Sequence, residues 1–307
     1  MVKEKHEKRV KEEVRMKRIL PLTCLGLMVC IAVPAWAVTR HVAPPPLGSN
    51  TNPGTEELPF ATIQHSIDAS SHGDTVIVAQ GTYVENIRFN GKNIVLTGTD
   101  PLDPAVVAAT VIDGNQAGSV VTFSGTESEA CVLEGFTIRN GQTAGDGGGI
   151  RGNGTGATIQ NNTITGNSAG YGGGLYDCHG TIHNNTITGN SAEEDGGGLY
   201  WCHGTIQKNT VTGNSAIYGG GLSRCNGTIQ NNTIAENSAE WGGALDDCNG
   251  TIRNCIIWAN TALTDPQLFF SSAPTYSCIE GWTGGGKGNI SDDRNRPVDT
   301  GGVWHGC

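Results

Sequence analysis

The chain has 307 residues, with 46 glycines, 10 cysteines and a formal net charge of −10. An acidic surface repels phosphate backbones, so nucleic acid is not an expected partner, whereas neutral or cationic partners are compatible with it. No stretch after residue 37 is long and apolar enough to span a membrane.

The first predicted element is a signal peptide at residues 1–37. An apolar stretch from Leu20 follows basic residues and ends in AWA at residues 35–37, a small-x-small cleavage pattern. The mature chain would begin near Val38 and be secreted, extracellular or at the cell surface. Removing the eight basic and four acidic residues of the signal changes the net charge from −10 to −14. The alternative is an uncleaved membrane anchor.

Residues 38–58 predict a linker or an extended lead-in, because prolines and asparagines are frequent in them. Phe60, Ile63 and Ile67 then have helical spacing and precede a predicted strand at residues 75–78. We expect a short N-terminal capping helix at this point, since a solenoid must cover its first coil.

A repeated sequence dominates the following part of the chain. The text TIQNNTITGNSAGYGGGLYDCHG begins at Thr158, and its first isoleucine recurs at intervals of 23, 24, 23 and 23 residues. Apolar columns five to six residues apart are too sparse for a helical face, and Asn and Gly fill the bends. Residues 59–262 therefore predict an all-β parallel β-helix, a single-stranded solenoid of about seven or eight coils. An irregular C-terminal segment, 263–307, would follow.

Two side-chain columns run through the repeats. The asparagine column consists of Asn167, Asn190, Asn214, Asn237 and Asn260. The cysteine column consists of Cys178, Cys202, Cys225 and Cys248. Amides at a bend can bond their own backbone or the equivalent amide one coil away, and equal side-chain directions fit a disulfide torsion poorly. We favour inward-facing thiols over bridges between coils, and Cys255, Cys278 and Cys307 are the better disulfide candidates.

These repeats, with the upstream stretch PFATIQHSIDASSHGDTVIVAQGTYVENIRFNGKNIVLTG and the later LEGFTIRNG, resemble right-handed parallel β-helix repeat proteins of the pectate-lyase-like superfamily. The resemblance runs from about residue 59 to about residue 289 and implies a right-handed coil. It does not select a function, because such proteins include polysaccharide lyases, glycoside hydrolases, epimerases and adhesins.

Aromatic and acidic residues interleave in the columns beside the glycine runs. Rings can stack on sugar faces and carboxylates can bond hydroxyl groups, so this pattern suits a saccharide-binding strip. The predicted contact residues are Tyr176, Tyr200, Trp201, Tyr218, Trp241, Asp177 and Asp246. The partner would be a polysaccharide or cell-surface glycan. The alternative is that these residues only occupy surface turns and bind no ligand.

The carboxylates do not predict a hydrolase pair. Asp177 and Asp247 lie three coils apart, about 14 Å at the strand spacing, and Asp146 and Asp195 lie about 10 Å apart. These separations exceed what glycoside hydrolysis requires.

Elimination from a uronate needs a cation and a base, and a polysaccharide lyase or related carbohydrate-active enzyme is the alternative function. Arg224 beside Asp247, with His203 one coil away, is the best constellation for it. An ordinary ion pair between neighbouring coils explains the same residues. No cofactor or metal ligand set is indicated, although Ca²⁺ is compatible with the acidic surface. Stacked Thr-x-Thr segments suit ice binding only superficially, because Ala235 interrupts them.

Overall fold

The computed structural model describes residues 37–291. The predicted signal peptide, apart from Ala37, and the chain from residue 292 onwards, with Cys307, lie outside these residues. Within them the chain forms three parallel sheets, and successive strands of the chain move from one sheet to the next. This arrangement confirms the predicted parallel β-helix.

Each complete coil contributes one short strand to each sheet, and the incomplete coils at the two ends contribute fewer. The nine strands of the first sheet are Thr39–Val42, Thr75–Val78, Val95–Gly98, Val132–Glu134, Thr158–Gln160, Thr181–His183, Thr205–Gln207, Thr228–Gln230 and Thr251–Arg253. The nine strands of the second sheet are Gly81–Val84, Thr110–Asp113, Thr137–Arg139, Thr163–Thr165, Thr186–Thr188, Thr210–Thr212, Thr233–Ala235, Ile256–Trp258 and Cys278–Ile279.

The third sheet carries most of the candidate site. Its eight strands are Ile87–Arg88, Val121–Thr122, Ile150–Thr155, Leu175–Cys178, Leu199–Tyr200, Leu222–Ser223, Leu245–Asp246 and Leu268–Phe269. Two further strand pairs precede it on the coils: Ser168–Tyr171 with Ser191–Asp195, and Ser238–Trp241 with Thr261–Thr264.

The solenoid extends beyond the ends of the repeated sequence. Thr39–Val42 pairs in register with Thr75–Val78, so the stretch expected as a linker or lead-in begins with a strand of the first sheet. Cys278–Ile279 pairs with Ile256–Trp258, which adds a rung inside the segment expected to be irregular. The two nine-stranded sheets therefore give about nine coils rather than seven or eight.

The predicted capping helix is confirmed at Ile63–Ala69. The Thr62 side chain accepts a hydrogen bond from the His65 backbone N–H, which satisfies one free donor of the first turn. The Glu85 carboxylate accepts two more from residues 63 and 64, each at 2.9 Å. Ile67 is fully buried, so the helix covers the apolar end of the first coils. A second helix, Pro104–Ala109, lies between the early strands.

In the regular coils, each strand of the three sheets places an apolar side chain in the core, stacked on its equivalent in the next coil, and Phe89, Phe123 and Phe136 fill the core of the earlier coils. In the coil of Leu199, for example, Ile206 and Val211 complete the set, and all three have no exposed surface. Burying a side chain of this size contributes about 1.5–3 kcal/mol. The repeat therefore stabilises the fold mainly through contacts between adjacent coils.

The asparagine column forms a buried ladder of amide hydrogen bonds. Each Nδ2 donates to the Oδ1 of the next member at 3.0 Å. A second ladder, not predicted from the sequence, consists of Asn162, Asn185, Asn209 and Asn232. Because these amides are buried, removing one asparagine side chain would take hydrogen-bond partners from the coils on both sides of it.

The cysteine column faces the interior, as we favoured. Its four thiols have no exposed surface and no disulfide bond. Cys255 is also a buried free thiol, so the prediction that it forms a disulfide is wrong. It follows Asn232 in the second ladder, and its Sγ contacts the Ile229 carbonyl oxygen at 3.8 Å. Cys278 is disulfide-bonded, as expected.

The glycine runs allow the coils to approach closely. Gly196 has φ +68°, which an L side chain rarely adopts. A Cβ added to Gly197 would lie 2.4 Å from the Ser215 carbonyl oxygen of the next coil. Each run therefore brings the chain tightly around to the start of the third-sheet strand, where the candidate site begins.

Candidate functional site

An aromatic cluster lies at the third sheet, on two neighbouring coils. It consists of Tyr171, Tyr176, Tyr200 and Trp201. Tyr176 and Tyr200 are register partners, and their ring centroids are 5.7 Å apart. The Trp201 ring lies 6.4 Å from both of these rings, and Tyr171 lies 5.5 Å from Tyr200. These separations are within the favourable range for tilted and edge-to-face aromatic pairs.

Only part of this cluster is open to solvent. Trp201 is 46% exposed and Tyr171 is 38% exposed, whereas Tyr200 is only 7% exposed. Tyr176 is half-buried. Tyr200 therefore supports the outer rings, and its face is not available in the way predicted for a contact residue.

A left-handed backbone column lies at the C-terminal ends of the third-sheet strands. Its members are Asp177, Trp201, Arg224, Asp247 and Phe270, with φ values of 53°, 55°, 50°, 48° and 44°. Aspartate tolerates this conformation comparatively well, whereas tryptophan, arginine and phenylalanine are uncommon in it. The bend directs these side chains outwards from successive coils. The repeats of the sequence place the first four of these residues in one column, but they do not show the backbone conformation that exposes the side chains.

Arg224 links the aromatic cluster to an acidic neighbour. Its Nη1 donates to the Tyr200 hydroxyl oxygen at 2.7 Å, and its Nε lies 3.6 Å from Asp247 Oδ2. Burial alone would lower the pKa of Arg224, but the charges of Asp195, Tyr200 and Asp247 outweigh burial and raise it. Arg224 is therefore a firmly protonated cation in an ion pair between neighbouring coils.

Two buried carboxyl groups meet at one serine hydroxyl beneath this surface. Ser223 Oγ lies 3.0 Å from Asp195 Oδ1 and 3.0 Å from Asp246 Oδ2. Asp195 and Asp246 are 5% and 4% exposed. A serine hydroxyl carries one hydrogen and can donate to only one of these oxygens. The second contact is a hydrogen bond only when a carboxyl group carries a proton and donates to Ser223 Oγ.

Burial makes both carboxyl groups hold a proton more tightly than a solvent-exposed aspartate does. Burial, more than the neighbouring carboxylates, raises the pKa of Asp246 to about 6, although its bond to Ser223 acts in the opposite direction. Burial also raises the pKa of Asp195, against the effects of Ser223 and Arg224. The repeats do not reveal this pair, because Asp195 and Asp246 belong to different columns of the sequence.

The pair does not have the geometry of a hydrolytic site. The two oxygens are close enough for a pair of catalytic carboxylates, but the Ser223 hydroxyl occupies the space between them. Asp246 is buried, so little of its side chain is accessible to a ligand, and its direct contact with one stays a prediction. Among the predicted acids, Asp177 and Asp247 keep accessible side chains, 21% and 46% exposed.

His203 stacks on another histidine rather than on the Arg224 ion pair. Its ring lies 4.9 Å from the His179 ring and 6.0 Å from the Trp201 ring. Its Nδ1 accepts a hydrogen bond from the Asn226 backbone N–H at 3.3 Å. Burial and the charge of His179 lower the pKa of His203. It is therefore a neutral neighbour of Trp201 at pH 7.

Tyr218 and Trp241 form a separate stacked pair. Their ring centroids are 4.9 Å apart with an interplanar angle of 15°, so each ring covers one face of the other. Both side chains are half-buried. A ligand could reach only their remaining surfaces, and the structure does not place them in the aromatic cluster.

Within residues 37–291, no group of three or more His, Cys, Asp or Glu residues is arranged to hold a metal ion. The helices of this part of the chain are all too short or too polar to cross a membrane.

Comparisons with known proteins agree with this architecture. A family described as "Right handed beta helix region" matches residues 119–286, and a family of unknown function, DUF1565, matches residues 47–90. The uncharacterised protein YwoF of Bacillus subtilis (strain 168) is 30% identical over 97 residues, which are 32% of this chain and 16% of that protein. The chain therefore aligns with only a small part of this relative.

A solved structure described as "The complex structure of XylC with xylose" is similar over 82% of this chain and 68% of that chain, with 11% identity and a TM-score of 0.40. The first family match spans more than half of the chain and coincides with the stacked coils. The protein therefore belongs to the right-handed β-helix family.

Proposed function

We propose that this protein is a secreted or cell-surface β-helix that binds polysaccharide through the aromatic cluster. The observation that carries the proposal is the exposure of Trp201 and Tyr171 above a buried, hydrogen-bonded Tyr200. Rings held in place by such packing lose little side-chain freedom when a ligand stacks on them. Sugars offer an apolar C–H face to stack and hydroxyl groups to bond nearby charged side chains.

The surrounding charges favour a neutral glycan over a uronate polymer. Asp177 and Asp247 are accessible beside the cluster, whereas the nearby Arg224 is already paired with Asp247 and Tyr200. A polyanionic chain would meet these carboxylates, whereas the two arginines beside the cluster, Arg224 and Arg151, are each already paired with an aspartate. The net charge of −10 acts in the same direction.

The same observations argue against the lyase alternative. A general base must release its proton near the working pH, but neighbouring charges raise the pKa of Arg224. His203 has a lowered pKa, but its ring stacks on His179 and meets Trp201 edge-to-face, and its Nδ1 already accepts a hydrogen bond from the Asn226 backbone N–H. Binding without turnover is therefore the function that the geometry supports best.

Secretion is a separate part of the proposal and rests on the apolar stretch and the AWA pattern at residues 35–37. N-terminal sequencing of protein recovered from the culture medium should give a chain that begins near Val38. Recovery only in a membrane fraction, with residues 20–37 retained, would contradict it.

Binding can be tested with an array of neutral and acidic polysaccharides, followed by titration of the best glycan. Trp201→Ala should weaken binding by about 1–3 kcal/mol, taken from the loss of one aromatic stacking partner. Tyr276→Ala is the matched control, because Tyr276 is an exposed aromatic with φ 51° outside the cluster. Equal affinity of Trp201→Ala and the wild type, or no binding to any glycan, would overturn the proposal. Release of unsaturated uronate products would support the lyase instead.

A further inference from the structure

The left-handed column continues past the aromatic cluster to Phe270, which lies beyond the regular repeats of the sequence. Its predecessor Phe269 is the register partner of Asp246, and the Asp247 backbone N–H donates to the Phe269 carbonyl oxygen at 3.0 Å. Phe270 therefore follows Asp247 in the column, as Asp247 follows Arg224. It has the same backbone conformation, with φ 44°.

Phe270 is one of the most exposed apolar side chains of residues 37–291. It is 76% exposed, and its ring packs beside the Phe269 ring at a centroid distance of 4.3 Å. The left-handed conformation is unfavourable for a phenylalanine backbone, and an exposed ring contributes no burial energy that would offset this cost. Fold stability alone therefore does not explain an aromatic ring at this position.

Trp201 and Phe270 are three coils apart, about 14 Å along the solenoid at the strand spacing. The two coils between them carry Arg224 and Asp247 in the same column, with side chains 49% and 46% exposed. The surface thus alternates along the axis: an exposed ring, an accessible ion pair and a second exposed ring.

We propose that Phe270 is a second aromatic contact for the same glycan, which lies along the solenoid axis as an extended chain of several neutral sugar units. The inference rests on the proposed function and deepens it by defining the length and direction of the ligand. A single sugar ring can cover only one of the two aromatic residues. A linear chain can stack on both and place its hydroxyl groups over the Arg224–Asp247 ion pair.

The spacing and the charges select this occupant. A purely apolar partner would bury the accessible ion pair without replacing its hydrogen bonds to water, which is costly. A polyanion would approach Asp177 and Asp247, which are both accessible. A neutral polyhydroxylated chain matches the rings and the ion pair together.

The test compares ligand length in the wild type, Phe270→Ala and the control Tyr276→Ala. The probes are cello-, xylo- and manno-oligosaccharides of two and six units, titrated by calorimetry. The wild type should bind one hexasaccharide at least about fivefold more tightly than its disaccharide, the lower end for one aromatic stacking contact. Phe270→Ala should remove this advantage and leave disaccharide affinity unchanged, whereas Tyr276→Ala should preserve it.

The outcomes separate the two proposals. Equal affinities for the two lengths, or a hexasaccharide advantage that survives in Phe270→Ala, would overturn this inference while leaving glycan binding intact. Binding of neither length of any series would overturn binding of neutral glycans and this inference with it. Circular dichroism should show the same β-sheet signal for all three proteins, because residues 270 and 276 are exposed.

Discussion

Replacing Asp246 with asparagine is expected to stabilise the protein at neutral and alkaline pH. Asp246 and Asp195 share the single Ser223 hydroxyl, so two ionised carboxylates leave one 3.0 Å contact without a hydrogen. An asparagine amide can donate permanently to Ser223 Oγ, and Ser223 can then donate to Asp195. The substitution keeps the size of the side chain and removes one buried charge.

The magnitude follows from the shifted pKa of Asp246. Its pKa is about 6 in the folded protein against an ordinary value of 3.8. The folded state therefore binds this proton more tightly, so the contribution of Asp246 to stability is highest below about pH 4 and falls as the pH rises towards 6. A shift of this size corresponds to about 3 kcal/mol. We expect Asp246→Asn to gain up to about 3 kcal/mol over the wild type at pH 8.

Urea unfolding followed by circular dichroism from pH 4 to pH 8 measures this effect as the difference between variant and wild type. Asp247→Asn is the matched control, because the adjacent Asp247 is half-exposed and its ion pair contributes less than about 1 kcal/mol. The advantage of Asp246→Asn should grow between pH 4 and pH 6 and then level off. A constant difference, or a loss of stability at pH 8, would refute the shared proton.

Three other predictions concern the solenoid itself. Asn214→Ala should cost about 3 kcal/mol or more in urea unfolding, because it removes both ladder bonds of a buried amide; the exposed Thr210→Ala should change stability by less than about 0.5 kcal/mol, and equal effects would contradict the ladder's importance. Lys208→Asn should gain about 0.5–1 kcal/mol, since φ is 54° there and asparagine tolerates this region better; a loss in thermal unfolding would argue against backbone strain. The thiols of Cys178 and Cys225 should resist maleimide until the protein unfolds, because both are buried and both have raised pKa values. The pKa of Cys178 is raised chiefly by its hydrogen bond with Cys202, and that of Cys225 chiefly by burial. Rapid labelling of the native protein would contradict the inward direction of these thiols.

The repeat made the fold predictable because the same short pattern specifies every coil. Ile159 and Ile182 are equivalent in the sequence and are register partners in the first sheet. The Asn167 ladder and the inward cysteines follow from the same equivalence, since a column in the sequence becomes a stack in space. Helical spacing also identified the capping helix, whose apolar face includes Ile63 and Ile67.

Elements outside the regular repeat were less predictable. Thr39–Val42 has no repeat sequence, and only its pairing with Thr75–Val78 makes it a rung. Cys255 occupies the position that asparagine has in the other coils of the second ladder, so the sequence did not identify it as a ladder member and indicated a disulfide instead. In both cases a neighbouring coil, rather than the local sequence, determines the role of the residue.

The sequence by itself determined which residues stack: the coil period, the interior columns and the band of aromatic and acidic residues beside the glycine runs. Only the tertiary structure decided which members of that band are accessible. Contacts between different columns depend on bends, and the left-handed conformation exposes Trp201 and Phe270 while Tyr200 stays buried. Asp195 and Asp246 likewise meet at one hydroxyl although they lie in different columns and two coils apart. A period fixes the neighbours along a column, but the backbone path around each coil sets the contacts across columns.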